Sequence, residues 1–173
     1  PPTPPTRHNW LGTDDRGRDI LTRLIYGFRI SFSFALLITF CSITVGVIIG
    51  ALQGYLGGVF DITLQRLIEI FSTLPFLYIV IIIGSSLGTG FFVLLLTFII
   101  FGWIGISYYI RSEFLKLREA QFVEAARALG VRDSKIMFRH ILPNALTPIV
   151  TFLPFELIGA ISSLSALDFL GFG

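Results

Sequence analysis

Four apolar stretches alternate with polar ones along the chain, over residues 30–51, 62–87, 91–110 and 145–167. A helix needs about 20 predominantly apolar residues to cross the hydrocarbon of a bilayer, and each stretch reaches that length. The pattern predicts an all-α fold, a polytopic membrane bundle with four visible spans. The polar intervals are residues 1–29, the short turn GYLGGVFD, the loop between Gly84 and Gly90, and the long insert 118–144.

The insert stands out because seven of the chain's 13 Lys and Arg residues fall between Arg111 and Arg139. Its sequence predicts a helical elbow. A first helix, about 119–129, is rich in strong helix formers, and Gly130 stands where a left-handed C-terminal residue is wanted. Asp133 or Ser134 is placed to cap a second helix, about 134–142, and Pro143 is placed to end it. Phe122, Ala126 and Leu129 share one face at helical spacing, as do Ile136, Met137 and His140, while Gln121, Glu124 and Arg127 lie elsewhere.

Within the spans, small residues and prolines carry the signal. Ser42, Gly46, Gly50, Gly54 and Gly58 recur every four residues and make one smooth ridge, which in lipid either packs against another helix or lines a conduit. Gly57 and Gly58 allow a sharp reversal after the first span. Pro75 predicts a kink in the second span. Trp103, Tyr108 and Tyr109, followed by Arg111, read as an interfacial belt at the end of the third. The fourth span contains Pro148, Pro154 and Glu156, which predicts a bend. A carboxylate at membrane depth costs about 2.5–3.5 kcal/mol and normally faces a bundle interior or a wet cavity. Glu156 is therefore the candidate translocation-path residue, the alternative being a protonated or hydrogen-bonded contact between helices.

Composition fits a membrane chain: 54% of residues are hydrophobic, 14% are charged, and mean hydropathy is +0.82. The net charge of +2 leaves no basic face for nucleic acid. Cys41 is alone and cannot form an internal disulfide. No phosphate loop of the form G-x-x-x-x-G-K-[ST] occurs, so no ATP site is expected in this chain, and no metal-ligand spacing or cofactor motif is present. GSSLG at Gly84–Gly88 fits a nucleophile-elbow pattern formally. That motif needs a strand-to-helix turn and a histidine base, and only His8 and His140 exist. The Pro-rich opening lacks the apolar core of a signal peptide.

Glu124, Ala125, Ala126, Gly130, Leu142 and Pro143 resemble the EAA motif of ABC-importer permeases. His140 departs from the Ile often found at its position and is similar to peptide permeases. Leu11, Gly12, Thr13, Asp14, Gly17, Arg18, Asp19, Arg23, Tyr26, Gly27, Arg29 and Ser31 resemble the stretch before the second span of C-type permeases of dipeptide and oligopeptide importers. Together with SALDFLGFG, this wording is most similar to the microcin C and oligopeptide type. The resemblance implies a bacterial inner-membrane protein whose elbow is cytoplasmic and docks into an ATP-hydrolysing subunit. Glu124 and Arg127 would then touch the rim of the docking cleft, Ala125 and Ala126 would allow close approach, and Gly130 would set the bend. Implied partners are a second permease subunit, two cytoplasmic ATP-binding subunits, an extracytoplasmic peptide-binding protein and membrane lipid. Residues 1–29 would be extracytoplasmic, and one span would be missing at each end. Positive residues divide eight to five in favour of the elbow side, in the direction of the positive-inside rule. The rival readings are a passive channel and a structural membrane subunit of a larger complex, which account for the spans but not for the elbow.

Overall fold

The computed structural model describes residues 2–172, and among them the regular structure is α- and π-helical, apart from a single isolated β-bridge between Thr13 and Asp19. The first helix, α1, runs unbroken over Ile20–Leu56. Asp19 caps it, its Oδ2 accepting from the Thr22 backbone N–H at 3.0 Å. The helix therefore begins ten residues before the predicted start of the first span. Its 37 residues span about 55 Å at 1.5 Å per residue, well beyond the roughly 30 Å hydrocarbon. The polar first turns, with Arg23 and Arg29, extend the span out of the lipid.

Ahead of α1, residues 2–19 fold back on themselves. The hydroxyls of Thr3 and Thr13 lie 2.8 Å apart, and Asp14 receives backbone N–H groups from Arg18 at 2.8 Å and Arg16 at 2.9 Å. Arg23 pairs with the other Asp14 oxygen at 2.6 Å. The Arg18 N–H leads the interactions that hold the Asp14 carboxyl below its ordinary pKa. A depressed carboxyl stabilises the fold above its unfolded pKa and ceases to as pH falls through the folded value. Amide exchange in residues 14–18 is therefore expected to quicken only below about pH 4, the unperturbed aspartate range. Asp14→Asn is expected to remove that pH dependence; exchange that stays flat in the parent protein would refute it.

Gly57 (φ +61°) and Gly58 (φ +57°) reverse the chain into α2, Gly58–Ser72. At Pro75 the second apolar stretch does more than kink: α2 and α3, Phe76–Leu87, meet at 72°. Proline at this position cannot donate to the preceding turn and pushes its neighbour out of the helical region. The GSSLG stretch forms the end of α3, with Gly88 at φ +89° just beyond. The fourth helix, α4, covers Phe91–Leu117, so Trp103, Tyr108 and Tyr109 lie within the helix and not at its end.

The ridge of α1 lies against α4. A Cβ added at Gly46 would come within 2.7 Å of the Ile106 Cβ, and one at Gly50 within 2.6 Å of the Ser107 carbonyl oxygen. At Gly54 it would meet the Arg111 carbonyl oxygen at 2.7 Å. Ser42 fits against Gly102 of α4 in the same way. Away from the elbow, Phe34, Phe76 and Phe98 pack edge to face beside Val80, Leu94 and Leu164. The opposite end of the bundle is closed by a second cluster, and that is where the elbow sits.

Candidate functional site

The elbow begins where α4 ends at Leu117. The helix α5, Gln121–Ala128, is stopped by a paired-hydrogen-bond cap: Gly130 N–H donates to the Arg127 carbonyl at 2.9 Å and Val131 N–H to the Ala126 carbonyl at 3.0 Å. Gly130 takes φ +72°, the left-handed conformation this cap requires. Val123 and Ala126 are the buried residues of α5, and with Ile136 and Ile141 they pack on Ile110 and Phe114 of α4 and Ala51 of α1. The expected face of Phe122, Ala126 and Leu129 is thus corrected. Phe122 is 42% exposed and Leu129 83%, because Val123, one residue on, turns inward in place of Phe122. Ala126 is seated in the chain's own core, whereas Glu124, Ala125 and Arg127 are exposed.

The second arm also departs from expectation. Asp133 does not cap it; Arg132 is the N-cap residue and supplies no side-chain bond, while Asp133 accepts a hydrogen bond from the Tyr55 hydroxyl at 2.6 Å. Nor does Pro143 end it. A short α6, Asp133–Lys135, widens into a π-helical turn over Ile136–Ile141 and continues as α7, Leu142–Phe169. A proline ring in an α-helix collides with the carbonyl four residues earlier. The wider turn lets the Leu142 N–H reach the Met137 carbonyl instead. The Asn144 side-chain amide then donates to the His140 carbonyl at 2.7 Å. Backbone groups that a proline frees from the regular ladder still need partners, and the wider turn supplies one. Leu142 packs against the elbow core, and Pro143 is exposed.

Between the elbow and the spans lies a polar knot. The Arg111 guanidinium grips Asp61 with two hydrogen bonds of 2.5 Å, from Nε to Oδ1 and from an Nη to Oδ2. Asp61 is only 6% exposed. Gln53 of α1 is fully buried beside it and donates at 3.4 Å to Asp61 Oδ1 and to Gln65. Arg118 reaches the Gly54 carbonyl at 3.3 Å. Glu156, in the middle of α7, lies on the wall of two adjoining clefts between α7 and the α1–α4 pair, of about 280 and 310 Å³. Tyr109 and Phe152 line one, and Ser42 with Ser163 lines the other.

Residues 42–173 match the family described as binding-protein-dependent transport system inner membrane component. The chain belongs to this family. It is a multi-pass inner-membrane component: among the described residues, three helices are long and apolar enough to cross a bilayer, with a fourth crossing if the bent α2–α3 pair counts as one. The chain is 56% identical over 165 residues to the peptidoglycan transport system permease protein YejE of Agrobacterium fabrum, covering 95% of this chain and 43% of the relative. It is 49% identical over 172 residues to the inner membrane ABC transporter permease protein YejE of Escherichia coli, covering 99% and 50%. The oligopeptide transport system permease protein OppC of Haemophilus influenzae is 37% identical over 166 residues, with 96% and 53% covered. The chain spans about half the length of these relatives.

In this inner membrane component, Glu124, Ala125, Ala126, Arg127 and Gly130 form one compact arm, with His140, Leu142 and Pro143 on the other. Sequence reasoning missed the Asp61–Arg111 pair. Arg111 reads as an ordinary interfacial arginine and Asp61 as a turn residue, and nothing in their 50-residue separation joins them.

Proposed function

We propose that the protein is a transmembrane subunit of an ATP-driven peptide importer and that its elbow is the docking element for the ATP-hydrolysing partners. The observation that carries this reading is the two-sided elbow. Its inner face is sealed into the ends of α1 and α4, while its outer face offers Phe122 and Leu129 beside Glu124, Ala125 and Arg127. An element held in this way transmits a push from outside to two spans at once.

The permease reading also draws on the named relatives, two of which carry peptidoglycan or oligopeptide transport in their names. The working assembly would contain a second permease subunit, two cytoplasmic ATP-binding subunits and an extracytoplasmic peptide-binding protein. ATP hydrolysis belongs to the partners, and this chain contributes half of the pathway. Residues 2–29 lie at the far end of α1 from the elbow, and we assign the segment 1–29 to the extracytoplasmic side.

The test is co-purification of the complete protein from native membranes. A P-loop ATPase and a second permease are expected to accompany it, with peptide uptake in reconstituted vesicles that requires ATP. Isolation of the protein without an ATPase would return it to the passive channel or structural subunit class.

Within this assembly we assign Glu156 to the translocation path. Glu156→Gln is expected to lower initial uptake several-fold, with Glu156→Asp retaining most of it, when subunit stoichiometry is unchanged. Equal uptake by all three proteins would remove Glu156 from the path and leave it as a contact between helices.

A further inference from the structure

The part-buried Asp61–Arg111 pair is used by neither docking nor translocation. We propose that it links the elbow to the broken span, with Arg111 as the positioning residue that holds α2 to α4. This rests on the reading of the elbow as the coupling element.

The helix α2 is articulated at both ends, by the positive-φ pair Gly57 and Gly58 and by the 72° break at Pro75. Between those joints, its buried residues are Asp61 and Ile68 alone. On the other side of the pair, Arg111 belongs to the stretch of α4 that enters the elbow. One turn on, Phe114 packs in the elbow core, and a further turn on, Arg118 caps the helix. Displacement of the elbow therefore carries Arg111 with it, and the two short hydrogen bonds to Asp61 carry α2. Gln53 packs against the pair, donating to Asp61 Oδ1 at 3.4 Å, and its own Oε1 is buried without a hydrogen-bond partner.

The experiment compares the parent protein with Asp61→Asn, and with Asp61→Arg and Arg111→Asp singly and together, each in the complete transporter reconstituted with its ATP-binding subunits and peptide-binding protein. Assembly, ATP hydrolysis and uptake are measured on the same samples. Asp61→Asn keeps the shape and one acceptor but loses the charge. Its uptake is expected to fall roughly tenfold, within the usual range of coupling free energies, while hydrolysis stays within about twofold, so that more ATP is consumed per peptide. Each charge reversal is expected to lose uptake and the double reversal to recover a substantial part. Unchanged uptake in Asp61→Asn would overturn the link. So would a parallel fall in uptake and hydrolysis, or failure to assemble, since either would make the pair a structural bond only. Lack of ATP-dependent uptake by the parent complex would instead overturn the importer reading.

Discussion

Gly130→Pro is expected to abolish peptide uptake while the chain still inserts and is still recovered from membranes. Gly130 sits at φ +72°, and proline is locked near −65°. The substitution also deletes the N–H that donates to the Arg127 carbonyl at 2.9 Å. Both losses fall on one turn, so the cap opens and costs on the order of 3 kcal/mol or more. The spans are untouched, because the nearest helical residues on either side belong to the elbow itself. A graded series separates backbone from side-chain effects. No atom lies within 4 Å of an added Cβ at this position, so Gly130→Ala meets only the left-handed penalty of about 1–2 kcal/mol. Asn tolerates that conformation better. The expected order of uptake is Gly, then Asn, then Ala, with Pro inactive.

Ala126→Asp attacks the same element from its inner face. Ala126 is 7% exposed among Val123, Ile136 and Ile141, and a carboxylate placed there has no partner. The unpaired charge costs several kcal/mol, which is expected to unseat the elbow from α1 and α4. Uptake and peptide-stimulated ATP hydrolysis by the reconstituted complex, each normalised to assembled transporter, are the measurements. Wild-type values for either variant would sink the lever reading.

What could be read from the sequence and what could not divides along a physical line. Gly130 was legible because glycine is the residue most favoured at a left-handed cap, and the four-residue recurrence from Ser42 to Gly54 was legible because it lies within one helix. The inward face of α5 was not. An eight-residue helix turns little more than twice, and Phe122 and Val123 compete for the same side with nothing local to decide between them. The solvent and the rest of the bundle make that choice. Pro143 misled for a similar reason: its local rule is to stop a helix, but a π turn next to it satisfies the backbone and lets the helix run on into α7. The Asp61–Arg111 pair depends on α2 folding back across α4, a tertiary event that no spacing rule encodes.

Gly50→Leu is expected to produce a large loss of bundle stability. Neither helix gains by hiding apolar surface from lipid tails, so close packing has to hold α1 and α4 together. At Gly50 an added Cβ would stand 2.6 Å from the Ser107 carbonyl oxygen and 2.9 Å from the Ile110 Cβ. One of those is backbone and the other is the root of a fully buried side chain, so neither can swing aside. Overpacking of this kind typically costs about 1–3 kcal/mol for small insertions, and a leucine adds three carbons beyond the Cβ. The helices must part along the seam that also seats the elbow. Gly27 supplies the control within the same helix: nothing lies within 4 Å of its added Cβ. There, Gly27→Ala is expected to be neutral or stabilising by about 0.4–1 kcal/mol through loss of backbone freedom in the unfolded chain. Thermal unfolding of the purified protein in one detergent should place Gly50→Ala below the parent, Gly50→Leu lower still, and Gly27→Ala at or above it. If Gly50→Leu melts with the parent, α1 and α4 are not in contact along this ridge, and the elbow has lost the seat on which its coupling role depends.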